Sequence, residues 1–200
     1  MSKKILQKDE KVLRKTAVEV PVHSVQTAKI KKILKEMSES LKSQSDGVAI
    51  AAPQIGYSLR IFIVSGKVLE AGFSEKREES VNTPHPRPLS PERSEGGQTN
   101  PLLVKEREEI PKDLIFINPK ISKLSRKKDW VPEGCLSVRP LYGRTFRSKK
   151  ATITAYDENG RKFTRGASGL LAQIFQHETD HLDGILFTDH AKDIKAETPK

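Results

Sequence analysis

Five consecutive residues near the end of the chain carry the clearest chemical signal. His177-Glu178-Thr179-Asp180-His181 places two histidines four positions apart, with a glutamate directly after the first. On a helix, that spacing puts both imidazoles on one face about one turn apart, where they can reach a single metal ion. Glu178 then lies beside the open position of the metal and can take a proton from water. The segment therefore predicts a catalytic metal site on a helix.

A catalytic metal of this kind takes three protein ligands, so a third must come from elsewhere in the chain. The residues after His181 do not have the spacing of the downstream ligand in HExxH proteases. The single cysteine, Cys135, follows Gly134 and can supply a thiolate. A lone cysteine is more often a small buried hydrophobic residue, but the missing downstream ligand favours Cys135 as the third ligand.

The elements that must position these residues are two helices and a series of strands. Apolar residues recur every three or four positions in Gln26–Leu41, which predicts an amphipathic surface helix. Strands are predicted at Tyr57–Val64, Leu114–Asn118, Ala151–Tyr156 and Arg161–Arg165, and a second helix at Ser168–Leu182. Strands in succession followed by one late helix predict an α+β fold, with antiparallel β-sheets packed around a central C-terminal helix that carries HExxH.

One stretch does not fit a compact domain. Between Gly66 and Lys112 the chain has few residues to bury, and five prolines lie within Pro84–Pro101. A loop of this length inside a compact domain is unusual. We therefore predict one domain over residues 1–200 that contains a disordered insertion within 66–112.

Composition argues against membrane and disulfide-rich classes of protein. Hydrophobic residues make up 35% of the chain and charged residues 31%, which is typical of globular domains. The longest apolar run, Val48–Ala52, is far shorter than the roughly 20 residues that span a bilayer. The first residues lack the apolar core of a signal peptide, and a single cysteine suits a reducing compartment. We expect a cytoplasmic protein without a membrane partner.

The net charge of +10 is unevenly distributed. Residues 120–165 carry 13 Lys or Arg against 4 Asp or Glu, a local net charge of +9. Clusters lie at Arg126–Lys128 and Arg147–Lys150. Such a surface can bind RNA, including that of the ribosome, although a solvated basic face is the simpler interpretation.

Three motifs, in order along the chain, resemble those of the peptide deformylase family. They are Gly-Val-Ala-Ile-Ala-Ala-Pro-Gln at 47–54, Glu-Gly-Cys-Leu-Ser at 133–137 and Gln-His-Glu-Thr-Asp-His-Leu-Asp-Gly at 176–184. Outside the insertion, the resemblance covers nearly the whole chain. It implies a hydrolase that removes the N-formyl group from the initiator methionine of newly made proteins, with N-formylmethionyl peptides of nascent chains as substrate.

The resemblance also implies roles for individual residues. One metal ion per chain, typically Fe²⁺ with Zn²⁺, Ni²⁺ or Co²⁺ as substitutes, would be held by Cys135, His177 and His181. Glu178 resembles the general base, Gln54 the side-chain donor to the oxyanion and Leu136 the backbone donor. The residues expected to contact the peptide or its methionine side chain are Gly47, Val48, Gly134, Leu170 and Ile174.

Two departures from the family pattern concern the cleft. Ala49 stands where the family has glycine, and its methyl group would cost on the order of 1 kcal/mol or more if that position needed a positive φ or close approach of the substrate backbone. Arg139 follows Ser137-Val138, where the family usually has proline, so the path of this loop is left open.

Two other functions remain open at this point. One is an HExxH metallopeptidase that cuts internal peptide bonds. The other is an inactive or weakened deformylase-like protein that acts as a basic ribosome-binding or RNA-binding module.

Overall fold

Two antiparallel β-sheets and three helices make up the part of the chain that the computed structural model describes, residues 2–72 and 112–196. The helices are α1 (Ala28–Lys42), α2 (Lys67–Gly72) and α3 (Gly169–Leu182). The strands are β1 (Ala49–Ala51), β2 (Ile61–Val64), β3 (Leu114–Leu124), β4 (Lys128–Gly134), β5 (Leu141–Ser148), β6 (Lys150–Tyr156), β7 (Lys162–Ser168) and β8 (Lys192–Ala196). Short 3₁₀ helices lie at Lys11–Arg14, Val22–Ser24, Ala52–Ile55 and Phe187–Asp189. The predicted α+β class is confirmed.

The larger sheet has the strand order β1-β2-β3-β6-β7, and the smaller has the order β4-β5-β8. Strand β3 continues through Pro119 to Leu124, so the end predicted for this strand at Asn118 is wrong. The pairing of β3 with β6 shifts between Ile117 and Lys120, and Asn118 has a φ of 50°. A proline is tolerated at such a bulge because the ladder of backbone hydrogen bonds is already interrupted there.

Helix α1 confirms the amphipathic helix predicted from the sequence and begins two residues later than expected. Thr27 caps its start, because the side-chain oxygen accepts a hydrogen bond from the backbone N–H of Ile30 at 3.5 Å. Its apolar side chains are buried against β1 and the 3₁₀ helix Ala52–Ile55, and the lysines between them are exposed. The helix thus supports the segment that carries the first motif.

Helix α3 packs against strands of both sheets. The ring of Phe175 lies 5.1 Å from that of Phe116 and 6.3 Å from that of Phe62. The Gln176 amide bonds both backbone groups of Ser148 at 3.0 Å, which links the helix to β5. This packing holds the HExxH segment rigidly inside the fold.

The chain leaves α3 through a tight turn at Gly184, which has a φ of 77°. A Cβ at this position would lie 2.8 Å from the backbone carbon of Arg14. Only glycine combines this left-handed conformation with such close approach.

The predicted insertion is only partly within the described residues. Residues 67–72 form α2, and the predicted disorder of residues 73–111 lies outside the described part of the chain. Among the described helices, none combines the length and apolar character required to cross a bilayer.

Candidate metal and catalytic site

Three side chains from two distant segments converge at the centre of the molecule. Cys135 directly follows β4, and His177 and His181 lie one turn apart on α3. The Cys135 Sγ is 3.1 Å from the Nε2 of His181, and one donor atom from each of the three residues lies within 4.8 Å of the others. The structure therefore brings together the three predicted metal ligands.

Glu133 orients one of these ligands. Its Oε1 lies 2.7 Å from the Nδ1 of His177, so that the other ring nitrogen of His177 is left to face the cluster. Burial by itself would raise the pKa of Glu133, but hydrogen bonds from His177 and Arg147 outweigh it and hold this pKa well below its usual range. Glu133 is therefore a buried, ionised partner for the imidazole.

Arg147 compensates the buried charge of Glu133. Its Nε and Nη2 lie 3.0 and 2.7 Å from the two carboxylate oxygens, and its Nη1 lies 2.6 Å from Asp180. Thr145 adds a hydroxyl hydrogen bond of 2.6 Å to Glu133. The second carboxylate of the helix motif, Asp180, thus reaches the site through Arg147.

Glu178 lies in a different environment from Glu133. It is buried, and its Oε2 has no hydrogen-bond partner among the described residues. Burial raises the pKa of Glu178 to about 7, because the charge of His177 compensates only part of the loss of hydration. A carboxylate with this pKa can both accept and release a proton near neutral pH.

Gln54 is positioned by the 3₁₀ helix that follows β1. Its Oε1 accepts the backbone N–H of Ala51 at 2.7 Å, which fixes the amide plane. Its Nε2 is 3.1 Å from the Oγ of Ser137 and 3.7 Å from the Sγ of Cys135. The first and second motifs therefore meet directly beside the cysteine.

The second motif also presents a free backbone donor. The carbonyl of Leu136 accepts a hydrogen bond from Gln7 at 3.1 Å, and within the described residues its N–H has no acceptor. The next N–H, that of Ser137, lies 3.4 Å from the Cys135 Sγ. Leu136 and Gln54, each with an N–H donor, both line the cleft at the cluster.

A cleft of about 270 Å³ opens over this cluster. It is lined by every predicted catalytic and substrate-contact residue: Gly47, Val48, Gln54, Gly134, Leu136, Leu170, Ile174 and Glu178. Val48 and Leu170 are exposed on its surface, whereas Ile174 is buried. Leu170 and Val48 are therefore large apolar side chains available to a ligand in the cleft.

Close packing explains the glycine of the second motif. A Cβ on Gly134 would lie 2.4 Å from the ring of Tyr142, the residue opposite it on β5. Tyr142 also lines the cleft. Any other residue at position 134 would displace this ring.

The two departures from the family pattern both lie at the cleft. Ala49 is a buried residue of β1 paired with Val64 and does not have a positive φ, so the strain considered for a non-glycine residue is absent. Arg139 forms an ion pair with Asp46 across the cleft entrance. The loop after Ser137 is thereby linked to the segment that precedes Gly47.

Comparison with known proteins agrees with this arrangement. The polypeptide deformylase family model matches residues 2–197. The chain belongs to the polypeptide deformylase family. Membership makes it an enzyme, a metal-dependent hydrolase that removes the N-formyl group from the initiator methionine of newly made proteins. The metallopeptidase and the binding module without activity are not favoured.

Deformylase relatives cover almost the full length of the chain. It is 34% identical to peptide deformylase 2 of Clostridium acetobutylicum over 181 residues, which is 90% of this chain and 89% of the relative. It is 32% identical to the peptide deformylase of Leptospira biflexa over 193 residues, with coverage of 96% and 89%.

Solved deformylase structures share the fold. The peptide deformylase from Legionella pneumophila has a TM-score of 0.68 at 26% identity, over 96% of this chain and 88% of that one. A Met-Ala-Ser-bound deformylase from Acinetobacter baumannii has a TM-score of 0.69 at 25% identity, over 95% and 98%. The actinonin complex from Synechococcus elongatus has a TM-score of 0.66 at 25% identity, over 94% and 78%.

The donor set of the deformylase site fits a divalent metal. A thiol and two imidazoles are ligands for borderline and soft metals of the first transition row. Burial lowers the pKa of His181 well below its usual value, which favours the neutral form that binds metals. Burial acts in the same direction on His177, but hydrogen bonds with Cys135 and Glu133 outweigh it and raise its pKa, so binding of a metal there would release a proton. The buried Oε2 of Glu178, on the same turn of α3 as His181, has no hydrogen-bond partner among the described residues. A cation here would compensate the charges of the thiolate and Glu178.

Reasoning from sequence missed the charged network behind the ligands. Glu133 belongs to the second motif but has no catalytic or metal-binding role predicted from the sequence. Arg147 belongs to the predicted basic surface cluster Arg147–Lys150. That assignment of Arg147 is wrong, because its side chain is buried between Glu133 and Asp180. The only signal was the alternation of β5, which places Thr145 and Arg147 on the same face.

Proposed function

We propose that the chain deformylates N-formylmethionyl peptides with Cys135, His177 and His181 as metal ligands and Glu178 as general base. The observation that carries this proposal is the buried Glu178 carboxylate, with one unpartnered oxygen, in the cleft beside the three ligand side chains. A bound divalent metal would supply Lewis acidity, which lowers the pKa of a water molecule towards about 7 and polarises the formyl oxygen.

The proton transfers are assigned to Glu178. Its carboxylate takes a proton from the attacking water as the oxygen forms a bond to the formyl carbon. The same group then gives that proton to the methionine nitrogen as the C–N bond breaks, so that formate and a free α-amine leave. The pKa of about 7 supports both halves of this cycle.

The developing negative charge on the formyl oxygen is assigned to two donors. Gln54 would donate through Nε2, which the bond from Ala51 to Oε1 orients. Leu136 would donate through its backbone N–H. One preorganised donor of this kind typically contributes about 3 kcal/mol to transition-state stabilisation.

The substrate is proposed to lie along the edge of β1 and the start of the second motif. Gly47, Val48 and Gly134 line this part of the cleft and would pair with the peptide backbone as an added strand does. Leu170 and Ile174 would contact the methionine side chain. The exposed position of Leu170 and Val48 supports this assignment.

We further propose Fe²⁺ as the native metal and the cytoplasm as the compartment. A thiolate with two imidazoles also accommodates Zn²⁺, Ni²⁺ and Co²⁺. A reducing compartment would keep the single cysteine available as a ligand. Ribosome binding stays a prediction, for which the exposed residues Arg126, Lys127 and Lys128 provide a basic surface.

The test is hydrolysis of formyl-Met-Ala-Ser by protein purified anaerobically with Fe²⁺. We expect formate release that falls 10²- to 10⁴-fold in Glu178→Gln, which keeps the shape of the side chain but cannot take up the proton. Metal content, measured by mass spectrometry, should stay at one ion per chain in this variant.

The matched control is Asp129→Asn, which neutralises an exposed carboxylate of β4 that pairs with Lys149. Its activity should remain within about twofold of the parent because surface ion pairs contribute little. Full activity of Glu178→Gln would contradict the role of the base. Hydrolysis of unformylated Met-Ala-Ser in place of the formylated peptide would contradict the reaction.

A further inference from the structure

Strands β4 and β5 present an outward face that the deformylase site does not use. Trp130 of β4 lies opposite Phe146 of β5, and Arg144 of β5 lies opposite Lys192 of β8. Lys128, two residues before Trp130, belongs to the same face. We name these five residues, Lys128, Trp130, Arg144, Phe146 and Lys192, the basic aromatic face.

The two aromatic rings of this face form a pair in which Phe146 is exposed and Trp130 is half-buried. Their centroids are 5.3 Å apart with an interplanar angle of 36°, and Phe146 is 50% exposed. Lys192 Nζ lies 4.7 Å from the centre of the Trp130 ring, and Lys128 Nζ lies 5.8 Å from that of Phe146. Each ring therefore has an ammonium group close to it.

Among the described residues, none of Lys128, Arg144 and Lys192 takes part in a salt bridge. Arg144 acts on Asp129 only at longer range, without forming an ion pair with it. Asp129, which follows Lys128 in sequence, pairs with Lys149 at 2.8 Å, and Asp193 follows Lys192. The face thus combines two aromatic rings with three cations that form no salt bridge with any described residue.

We propose that the basic aromatic face binds single-stranded RNA. Unpaired bases stack on aromatic side chains of an open sheet, and flanking cations contact the phosphates. Duplex RNA keeps its bases stacked inside the helix and cannot use the rings in this way. The combination of rings and cations therefore favours a single strand over a duplex or a purely acidic polymer.

The choice of RNA rests on the proposed function. N-formylmethionine enters a protein at the start of translation, so RNA surrounds the place where the substrate forms. Strand β4 also connects the face to the cleft, since Trp130 precedes Gly134 by four residues, about 13 Å along the strand. RNA bound here would keep the cleft close to an emerging chain.

Trp130 gives a direct measurement, because it is the single tryptophan of the chain. Full-length, metal-loaded protein is titrated with a 12-nucleotide single-stranded RNA of mixed sequence, and the anisotropy of a fluorescein label on the RNA gives a second readout. We expect quenching of Trp130 fluorescence as bases stack. The affinity should fall with salt with a log–log slope of about −2, as expected for three phosphate contacts.

Variants distinguish this face from general positive charge. The triple variant Lys128→Glu, Arg144→Glu, Lys192→Glu should bind the RNA at least tenfold more weakly. The control Lys29→Glu, Lys31→Glu, Lys35→Glu makes the same change in charge on exposed positions of α1 and should weaken binding less than threefold. Phe146→Ala should weaken binding about fivefold or more without changing the salt slope.

Several results would overturn the proposal: no change in fluorescence or anisotropy, equal affinity for duplex RNA, binding of poly-glutamate as tight as that of RNA, or equal weakening in the α1 control.

If the triple variant does not fold by circular dichroism, Lys192→Glu alone decides, with an expected threefold loss. Both triple variants should deformylate formyl-Met-Ala-Ser within twofold of the parent. Failure of RNA binding is thus separate from failure of the deformylase assignment.

Discussion

The two faces of the β4–β5 hairpin place their charged side chains in opposite environments. On the inward face, Glu133 and Arg147 are buried and bonded to each other, and both connect to α3. On the outward face, Arg144 is exposed and forms no ion pair among the described residues. Neighbouring residues of one strand thus serve a rigid catalytic centre and a solvated surface.

The difference follows from the cost of removing charge from water. A buried carboxylate is tolerated only where hydrogen bonds and an opposite charge replace its hydration, which Thr145, Arg147 and His177 do for Glu133. An exposed cation keeps its hydration and needs no partner. The inward face should therefore be sensitive to every substitution, and the outward face tolerant of most.

The largest contrast is expected between two arginines of β5. Arg147→Met should lower the free energy of unfolding by about 3–5 kcal/mol, because Glu133 would remain buried without its partner. Arg144→Met, three residues earlier on the opposite face, should change it by less than about 0.5 kcal/mol. Urea unfolding at matched metal occupancy measures both. Equal values for the two variants would break the comparison.

The next contrast concerns metal affinity and two acidic residues of β4. Glu133→Gln should weaken metal binding about 10- to 100-fold, since the carboxylate that orients His177 is replaced by a neutral amide. Asp129→Asn, which loses an exposed pair with Lys149, should leave affinity unchanged. Competition with a chromogenic chelator reports the two dissociation constants. An unchanged constant for Glu133→Gln would show that Glu133 serves folding alone.

The smallest contrast is between adjacent residues of β5. Thr145→Val removes the hydroxyl bond to Glu133 and should lower the free energy of unfolding by about 1–1.5 kcal/mol. Phe146→Leu keeps an apolar side chain on the exposed face and should lower it by less than about 0.5 kcal/mol. Thermal unfolding of both variants at one metal concentration measures the two changes in the free energy of unfolding. A larger loss for Phe146→Leu would mean that the outward face contributes to the stability of the sheet.

Much of the fold could be predicted from periodicity. In both long helices apolar residues recur every three or four positions, and in the strands β6 and β7 apolar and polar residues alternate. The structure confirms these elements. Strands β4 and β5 gave no such signal, because their inward side chains include Glu133, Thr145 and Arg147. A strand whose buried side chains are polar lacks the alternation of apolar and polar residues from which strands are predicted.

The sequence by itself predicts the chemistry of the site. HExxH on an amphipathic helix and one upstream cysteine sufficed to predict three ligands and a base, because helical geometry relates residues four positions apart. Only the tertiary structure decided which charged side chains form buried ion pairs and which remain exposed to solvent. Arg144 and Arg147 are the same residue type in one strand, and their burial depends on which face packs against α3. Contacts between distant segments decide which charged side chains lose their hydration. A charged side chain that loses its hydration needs a partner inside the protein, whereas one that keeps it remains available at the surface.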